Sequence, residues 1–433
     1  MSGMAMISME WPNDLVSWVF LASLVVVLLQ LRQRSKLPLP PGPKPLPIIG
    51  NMMLMSQLTH RGLAVLAERY GGLLHLSVGR RHVFVVSTAE YALEVLQAQD
   101  AALANRPATT AIAYLTDGHA DMAFAQYRPF WRQGRKLSVT KLFSQRRAET
   151  WLAVRDESAA LVRAVARRSG EAVNLGELVL SLSTNVIFRT AFGTRVNISV
   201  GEYIGVLEEF SRNIIAFNIG DFMPWLAWID PSRRRLRETR KGFDRFIDKI
   251  IGNHIRRGRS STDTEADIVD EMLACLHETK PTAGDAVDDR HGSLCLTRRN
   301  IKAVILDLMF GGTETVASSI EWAMKELLRN PDDLRRLQQE LADVDGDASG
   351  LDLNGSCFEF LPFGSGRRSC PGMALGLHAL EFAVAQLAHG FHWELLDGTK
   401  PSDLDVGDAF GLSAPSAQRL YAVPTPRFTC PLY

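Results

Sequence analysis

Apolar residues follow several different rhythms along this chain. From Leu15 to Leu31 they run almost unbroken, with no charge and only Gln30 as a strong polar interruption. As a helix this stretch would reach roughly 25 Å, just short of a hydrocarbon core. Leu73 to Val86 reads as two apolar arms around Gly79-Arg80-Arg81-His82, which predicts a β-hairpin. Ser87 with Glu90 then offers a capping box for a helix through Leu96. Beyond it the period lengthens to that of amphipathic helices at 147–167, 202–216 and 236–256. Ile301, Val304, Ile305, Leu308 and Met309 form one face of a long helix expected over Ile301–Leu328, and a further apolar helix is expected over Met373–Leu387. The pattern predicts a mainly α fold with small β-sheets.

Breaks in the pattern set the expected organisation. Pro38-Leu39-Pro40-Pro41-Gly42-Pro43-Lys44-Pro45-Leu46-Pro47 cannot be helical and favours stiff polyproline II. Residues 1–36 are therefore expected to form a membrane segment, 37–50 a proline-rich hinge, and 51–433 the main domain. Residues 257–295 are polar and predict a surface excursion. Arg233 to Arg259 is rich in basic residues, but Glu238, Asp244 and Asp248 interrupt it, so a solvated helix face is expected.

Composition narrows the function classes. The 433 residues carry 48 basic and 48 acidic side chains, a balance that gives no reason to expect a nucleic-acid partner. Cys275, Cys295, Cys357, Cys370 and Cys430 are scattered, with no C-x-x-C pair, which argues against a disulfide framework or zinc site and suits a reducing cytosol. Trp11 and Trp18 suit a membrane interface; Asp14 precedes the apolar run and Arg32, Arg34 and Lys36 follow it, so the downstream chain is expected on the cytosolic side. A cleaved signal peptide would need a basic n-region and a small-residue cleavage site, and neither is present.

Candidate chemistry concentrates in Phe363-Gly364-Ser365-Gly366-Arg367-Arg368-Ser369-Cys370-Pro371-Gly372. One cysteine sits in a glycine-rich turn ahead of an apolar helix. Glycines permit close backbone approach, and amide groups near a helix start stabilise a thiolate. That layout suits a thiolate held against a haem iron, with Arg368 available to a haem propionate; the bland alternative is a buried cysteine in an ordinary turn. In the long helix, Gly311-Gly312-Thr313-Glu314-Thr315 places paired glycines where each costs about 1 kcal/mol relative to Ala. Either close helix packing or room for dioxygen would explain them. Trp131 and Arg135 share a helix face at i,i+4. Lys136, Lys141, Arg146 and Arg147 lie nearby as a basic patch, read either as a solvated face or as docking for an acidic electron-transfer partner.

The cysteine loop resembles that of the haem-thiolate monooxygenases, the cytochrome P-450 superfamily. Its pattern F-x-x-G-x-R-x-C-x-G is met at Phe363, Gly366, Arg368, Cys370 and Gly372; its distal motif [AG]-G-x-[DE]-T at Gly311 to Thr315; its W-x-x-x-R helix at Trp131 and Arg135. The resemblance implies a cytochrome P-450 fold and haem b. Cys370 is then the metal ligand, and Trp131, Arg135, Phe363, Gly364, Arg368 and Gly372 bind the cofactor. Thr315 then positions water and Glu314 feeds protons. It further implies O2, a small aromatic substrate, and an NADPH-dependent reductase at the endoplasmic reticulum membrane. Residues 108–123 occupy the place of the loop over the distal haem face. Residues 222–231, 309–318 and 356–363 are close to segments of ferulate (coniferaldehyde) 5-hydroxylases of syringyl-lignin synthesis, although related phenylpropanoid and flavonoid ring hydroxylases share much of this pattern.

One interval departs from the resemblance. Thr315 and Cys370 are 370 − 315 = 55 positions apart, where the family carries roughly 80 more residues. The expected E-x-x-R and P-E-R-F-like elements are not found in their context. Glu326 and Arg329 fit the former's letters but read as an i,i+3 surface pair. An internal truncation around 344–351 is expected, with a non-catalytic product as one consequence.

Overall fold

The computed structural model describes residues 15–32, 38–57, 59–141, 148–193, 200–257, 267–276, 287–288, 293–294, 296–342, 357–409 and 411–428. The expected truncation at 344–351, and most of the polar excursion, lie outside them. The chain divides into two compact units, Met1–Ala92 and Leu93–Tyr433.

In the first unit α1 (Leu15–Arg32) is a helix whose residues 18–26 are exposed. The proline-rich stretch does not hang free. Pro41 O accepts from His75 N at 2.9 Å, and Asn51 Nδ2 donates to Pro43 O at 3.2 Å. Helix α2 (His60–Tyr70) starts at Thr59, whose side chain accepts from Gly62 N. Strands β1 (Leu73–Val78) and β2 (Arg81–Val86) form the expected hairpin. Its turn is tighter than expected, because Arg81 and His82 pair with Val78 and Ser77 and leave only Gly79 and Arg80 outside the ladder. The helix expected after Ser87 runs over Ala89–Leu93 and continues as a π-helical turn, Glu94–Ala98.

The second unit is helical: α3 (Pro129–Lys141), α4 (Ala148–Ala166), α5 (Leu175–Ala191), α6 (Val200–Ile214), α7 (Ser232–Arg257), α8 (Ile268–Ala274), α9 (Arg298–Arg329), α10 (Pro331–Glu340) and α11 (Met373–Gly390). Strands β3 (Val173–Asn174), β4 (Phe391–Leu395) and β5 (Tyr421–Pro426) make a small antiparallel sheet with β5 in the middle. The long helix α9 is the hub, packing on α5, α6, α7 and α11. Thr297 caps it through a reciprocal pair with Asn300. Its first half enters one core with Tyr203, Phe243 and Ile301, and its second half enters another with Ile320, Met324 and Leu387. Among the described residues α9 is the helix long and apolar enough to cross a membrane, but more than half of that stretch is buried, as befits a core helix.

The basic residues of α7 are largely solvated, with Arg233, Arg234, Arg235, Arg237 and Lys241 exposed, and the acidic ones that interrupt them have partners. Asp248 pairs with Arg298 at 2.8 Å and with Lys302 at 2.7 Å, so acidic residues of α7 receive the cations that open α9. Glu326 and Arg329 form the expected i,i+3 pair at 3.0 Å.

Candidate active site

Loop 361–372 is shaped by two left-handed glycines. Gly364 and Gly366 both have φ +68°, and a Cβ on Gly366 would stand 1.9 Å from Leu96 O. Cys370 N donates to Phe363 O at 2.8 Å, closing the turn, and Ser369 N donates to Gly366 O at 3.1 Å. Arg367 fastens the turn from outside, through Asp100 at 2.9 Å and the Tyr127 hydroxyl at 2.7 Å. Gly372 caps the start of α11. A Cβ at Gly376, one turn on, would lie 3.7 Å from Val316 Cγ2 and 3.8 Å from Phe363 Cε1. The helix after the cysteine is thus in contact with both the cysteine loop and α9.

Cys370 is exposed, yet surrounding protein desolvates its sulfur and raises the thiol; the Gly372 amide and the Arg135 charge act in the opposite sense. Arg135 Nη2 donates to Ser369 O at 2.6 Å and to Ser369 Oγ at 3.1 Å. Arg368 spans three carbonyls: Nε to Ala104 O at 2.9 Å, Nη1 to Met122 O at 3.3 Å and Nη2 to Ala125 O at 2.5 Å. Its guanidinium lies 4.4 Å from the Trp131 ring centroid. Trp131 is buried, and its indole N–H donates to Met122 O at 3.0 Å rather than facing open space. Arg106 Nε donates to Ala123 O at 3.2 Å. Desolvation, then the Arg106 charge, push Arg368 down to about 10, although Asp121 opposes this.

On α9 the paired glycines separate. A Cβ at Gly312 would meet Ile187 Cδ1 at 2.2 Å, so Gly312 serves close packing on α5. One at Gly311 would meet nothing within 4 Å, so Gly311 borders open space. Thr315 is exposed, with Oγ1 donating to Gly311 O at 2.6 Å. Glu314 Oε2 is buried, and among the described residues no donor reaches it. Thr313 instead faces inward and bonds the Tyr203 hydroxyl at 2.7 Å.

This arrangement suits an anionic metallocycle. Arg106, Arg135 and Arg368 gather without an ion pair to any carboxylate among the described residues, so two propionates would relieve their crowding. An exposed sulfur beside an amide and a guanidinium supplies a soft ligand that metal binding would deprotonate. Arg368 spends three of its five N–H groups on carbonyls and keeps two. The reading from sequence missed Arg106, Asp121 and Asp307. Asp307 left a signal, a lone carboxylate in the apolar run Ala303-Val304-Ile305-Leu306-Asp307-Leu308-Met309.

The chain belongs to the cytochrome P450 family, whose sequence model matches residues 40–354 and 347–421. It is thereby a haem-thiolate monooxygenase, a class that uses haem, O2 and electrons from NADPH through a redox partner. It is 44% identical to Cytochrome P450 84A1 of Arabidopsis thaliana, across 96% of this chain and 97% of that one. It is 30% identical to Flavonoid 3'-monooxygenase of the same plant, across 89% and 91%. A solved zebrafish cytochrome P450 with progesterone shares the fold, with a TM-score of 0.68 at 20% identity, over 84% of this chain and 98% of that one.

Proposed function

We propose that this chain oxidises the aromatic ring of a phenylpropanoid, as in ferulate or coniferaldehyde 5-hydroxylation for lignin. The similarity to Cytochrome P450 84A1 over nearly both whole chains carries the reading. The resemblance of segments 222–231, 309–318 and 356–363 to the 5-hydroxylases supports it. The relative named for flavonoid oxidation supports a neighbouring reading, a hydroxylase of another phenylpropanoid or of a flavonoid.

Cys370 would be the sole protein ligand to iron, and Arg135 and Arg368 would hold propionates. Bound haem supplies the O–O cleavage and the oxidation itself. Thr315 Oγ1 donates to Gly311 O, so its lone pairs stay free to accept from water beside Gly311. Glu314, whose buried Oε2 has no partner among the described residues, would carry protons to that water. Cys370→Ala should abolish the thiolate-type carbon monoxide difference spectrum; a variant that kept it would overturn the assignment.

Residues 15–31 would anchor the protein in the endoplasmic reticulum with residues 37–433 cytosolic, as the exposed apolar surface of α1 and the charge order support. Protease protection of the main domain inside intact microsomes would exclude that orientation. The basic patch around Lys136 would receive the reductase.

A second reading, an impaired deletion product, has its own support. The family's sequence model matches in two pieces that overlap at 347–354. The alignment to Cytochrome P450 84A1 also runs over 504 positions, although this chain has 433 residues. The experiment compares this chain with a version carrying the missing segment, using coniferaldehyde, reductase and NADPH. Product from both supports the ring hydroxylase, product from the restored form alone supports impairment, and no coniferaldehyde turnover from either overturns the substrate reading.

A further inference from the structure

Two carboxyl groups meet where the loop at 116–125 crosses α9. Asp121 is fully buried, and its Oδ1 has no donor among the described residues. Its other oxygen accepts from Phe124 N at 2.8 Å. Asp307 Oδ2 accepts from Met122 N at 2.6 Å and Ala123 N at 3.1 Å. The same short stretch of backbone aims the cationic cradle. Met122 O holds Trp131 Nε1 and Arg368 Nη1, Ala123 O holds Arg106 Nε, and Ala125 O holds Arg368 Nη2. Asp307 thus grips Ala123 N, the amide side of the peptide whose Met122 O orients Trp131 and Arg368, while Asp121 grips Phe124 N, the amide side of the peptide whose Ala123 O orients Arg106.

Like charges in one desolvated place cannot both persist. We infer that Asp121 and Asp307 share one proton and form a latch that fastens this loop to α9, making Asp307 a positioning residue for Arg368 and Trp131 and Asp121 one for Arg106. The importance of that cradle rests on the cofactor assignment above; the latch itself does not. Burial raises Asp307 well above the ordinary carboxylate range and Asp121 to about 6, with each carboxyl within hydrogen-bonding reach of the other when one is protonated. The shared proton satisfies the orphaned Oδ1 and leaves one negative charge facing Arg106 and Arg368. The remaining groups around the pair are accounted for. The Thr116 hydroxyl donates to Ile112 O at 2.9 Å, His119 Nδ1 lies 3.2 Å from Phe124 O, and Asp117 pairs with Arg299. Loss of the proton as pH climbs through the raised Asp307 value would leave two facing anions and open the latch.

The test is hydrogen exchange at the Met122 and Ala123 amides, read by mass spectrometry across pH and corrected for intrinsic exchange. It needs no bound haem, so it separates the latch from the cofactor reading. Asp307→Ala should speed exchange at least about tenfold, the loss expected when amides lose a charged acceptor. Asp307→Asn keeps an oxygen acceptor and imitates the protonated partner. It should protect both amides at neutral pH and extend protection to higher pH than the parent. A circular dichroism melt identifies an Asp307→Ala chain that has failed to fold, in which case Asp307→Asn alone decides. Parent-like exchange in Asp307→Ala overturns the latch. An Asp307→Asn profile with no alkaline extension overturns the shared proton. In haem-loaded protein, the inference expects Asp307→Ala to lose cofactor several-fold faster than Asp307→Asn.

Discussion

Side by side in α9, Gly311 and Gly312 answer to different neighbours. Gly311→Ala meets open space, so it should leave stability unchanged or raise it by about 1 kcal/mol through helix propensity. It would still fill the space expected to admit dioxygen, so turnover should fall. Gly312→Ala drives a methyl into Ile187 and should cost about 1–3 kcal/mol. Denaturant titration of the two variants distinguishes them, and equal midpoints would refute the division. Gly366→Ala should be harsher, because strain at φ +68° adds to a backbone contact with Leu96 O that no rotamer relieves. The paired glycines were visible in the sequence as an anomaly needing a reason. Which glycine served packing and which served space depended on Ile187, 125 positions away (312 − 187), and no local pattern encodes that.

At the scale of elements, periodicity found the helices that keep a polar face. The runs at 147–167, 202–216 and 236–256 became Ala148–Ala166, Val200–Ile214 and Ser232–Arg257. Leu175–Ala191 escaped because it is buried on several faces, with Gly176, Ser183, Thr184 and Thr190 inside as well as its aliphatic residues. Where a helix has no wet side, its period does not show. The join between α7 and α8 was equally hidden and has a pH signature. His254 Nδ1 lies 2.8 Å from Ile250 O and Nε2 lies 2.9 Å from Asp267 Oδ2. Both neighbours accept, so the ring carries both protons. Burial opposes the charge, but Asp267 outweighs it, and His254 is raised above its ordinary 6.5. A raised folded value means the stabilisation is complete below pH 6.5 and disappears as pH climbs through the folded value. His254→Asn should therefore lower the melting temperature more at pH 6 than at pH 9. The opposite order would show that His254 is held neutral.

For the whole molecule, the sequence located the cysteine loop, distal helix and family fold, because five fixed positions in ten residues mark the loop. It did not show how the loop is held here. Arg367 with Asp100 and Tyr127, Gly366 against Leu96, and Arg135 on Ser369 are contacts between distant segments. Asp100→Ala should loosen the loop and speed haem loss several-fold while far-UV circular dichroism stays unchanged. Unaltered haem retention would mean that this brace is redundant.

Glu321 and Lys325 sit inside α9, almost wholly buried, and their partners arrive late in the chain. Glu321 receives Arg419 Nη1 at 2.9 Å and Leu420 N at 2.8 Å, while Lys325 donates to Ser416 Oγ and to Gln418 O. A nascent chain that has emerged only through α11 therefore lacks the late partners of both and leaves Glu321 and Lys325 only each other, and buried charges short of partners are strongly destabilising. Synthesis order thus becomes a checkpoint: the ribosome must release the last few dozen residues before the core can settle. Released chains that end at residue 412 should stay protease-sensitive along α9, and released chains that extend through residue 428 should become resistant. Supplying a peptide of residues 411–428 to the shorter form should restore part of that resistance.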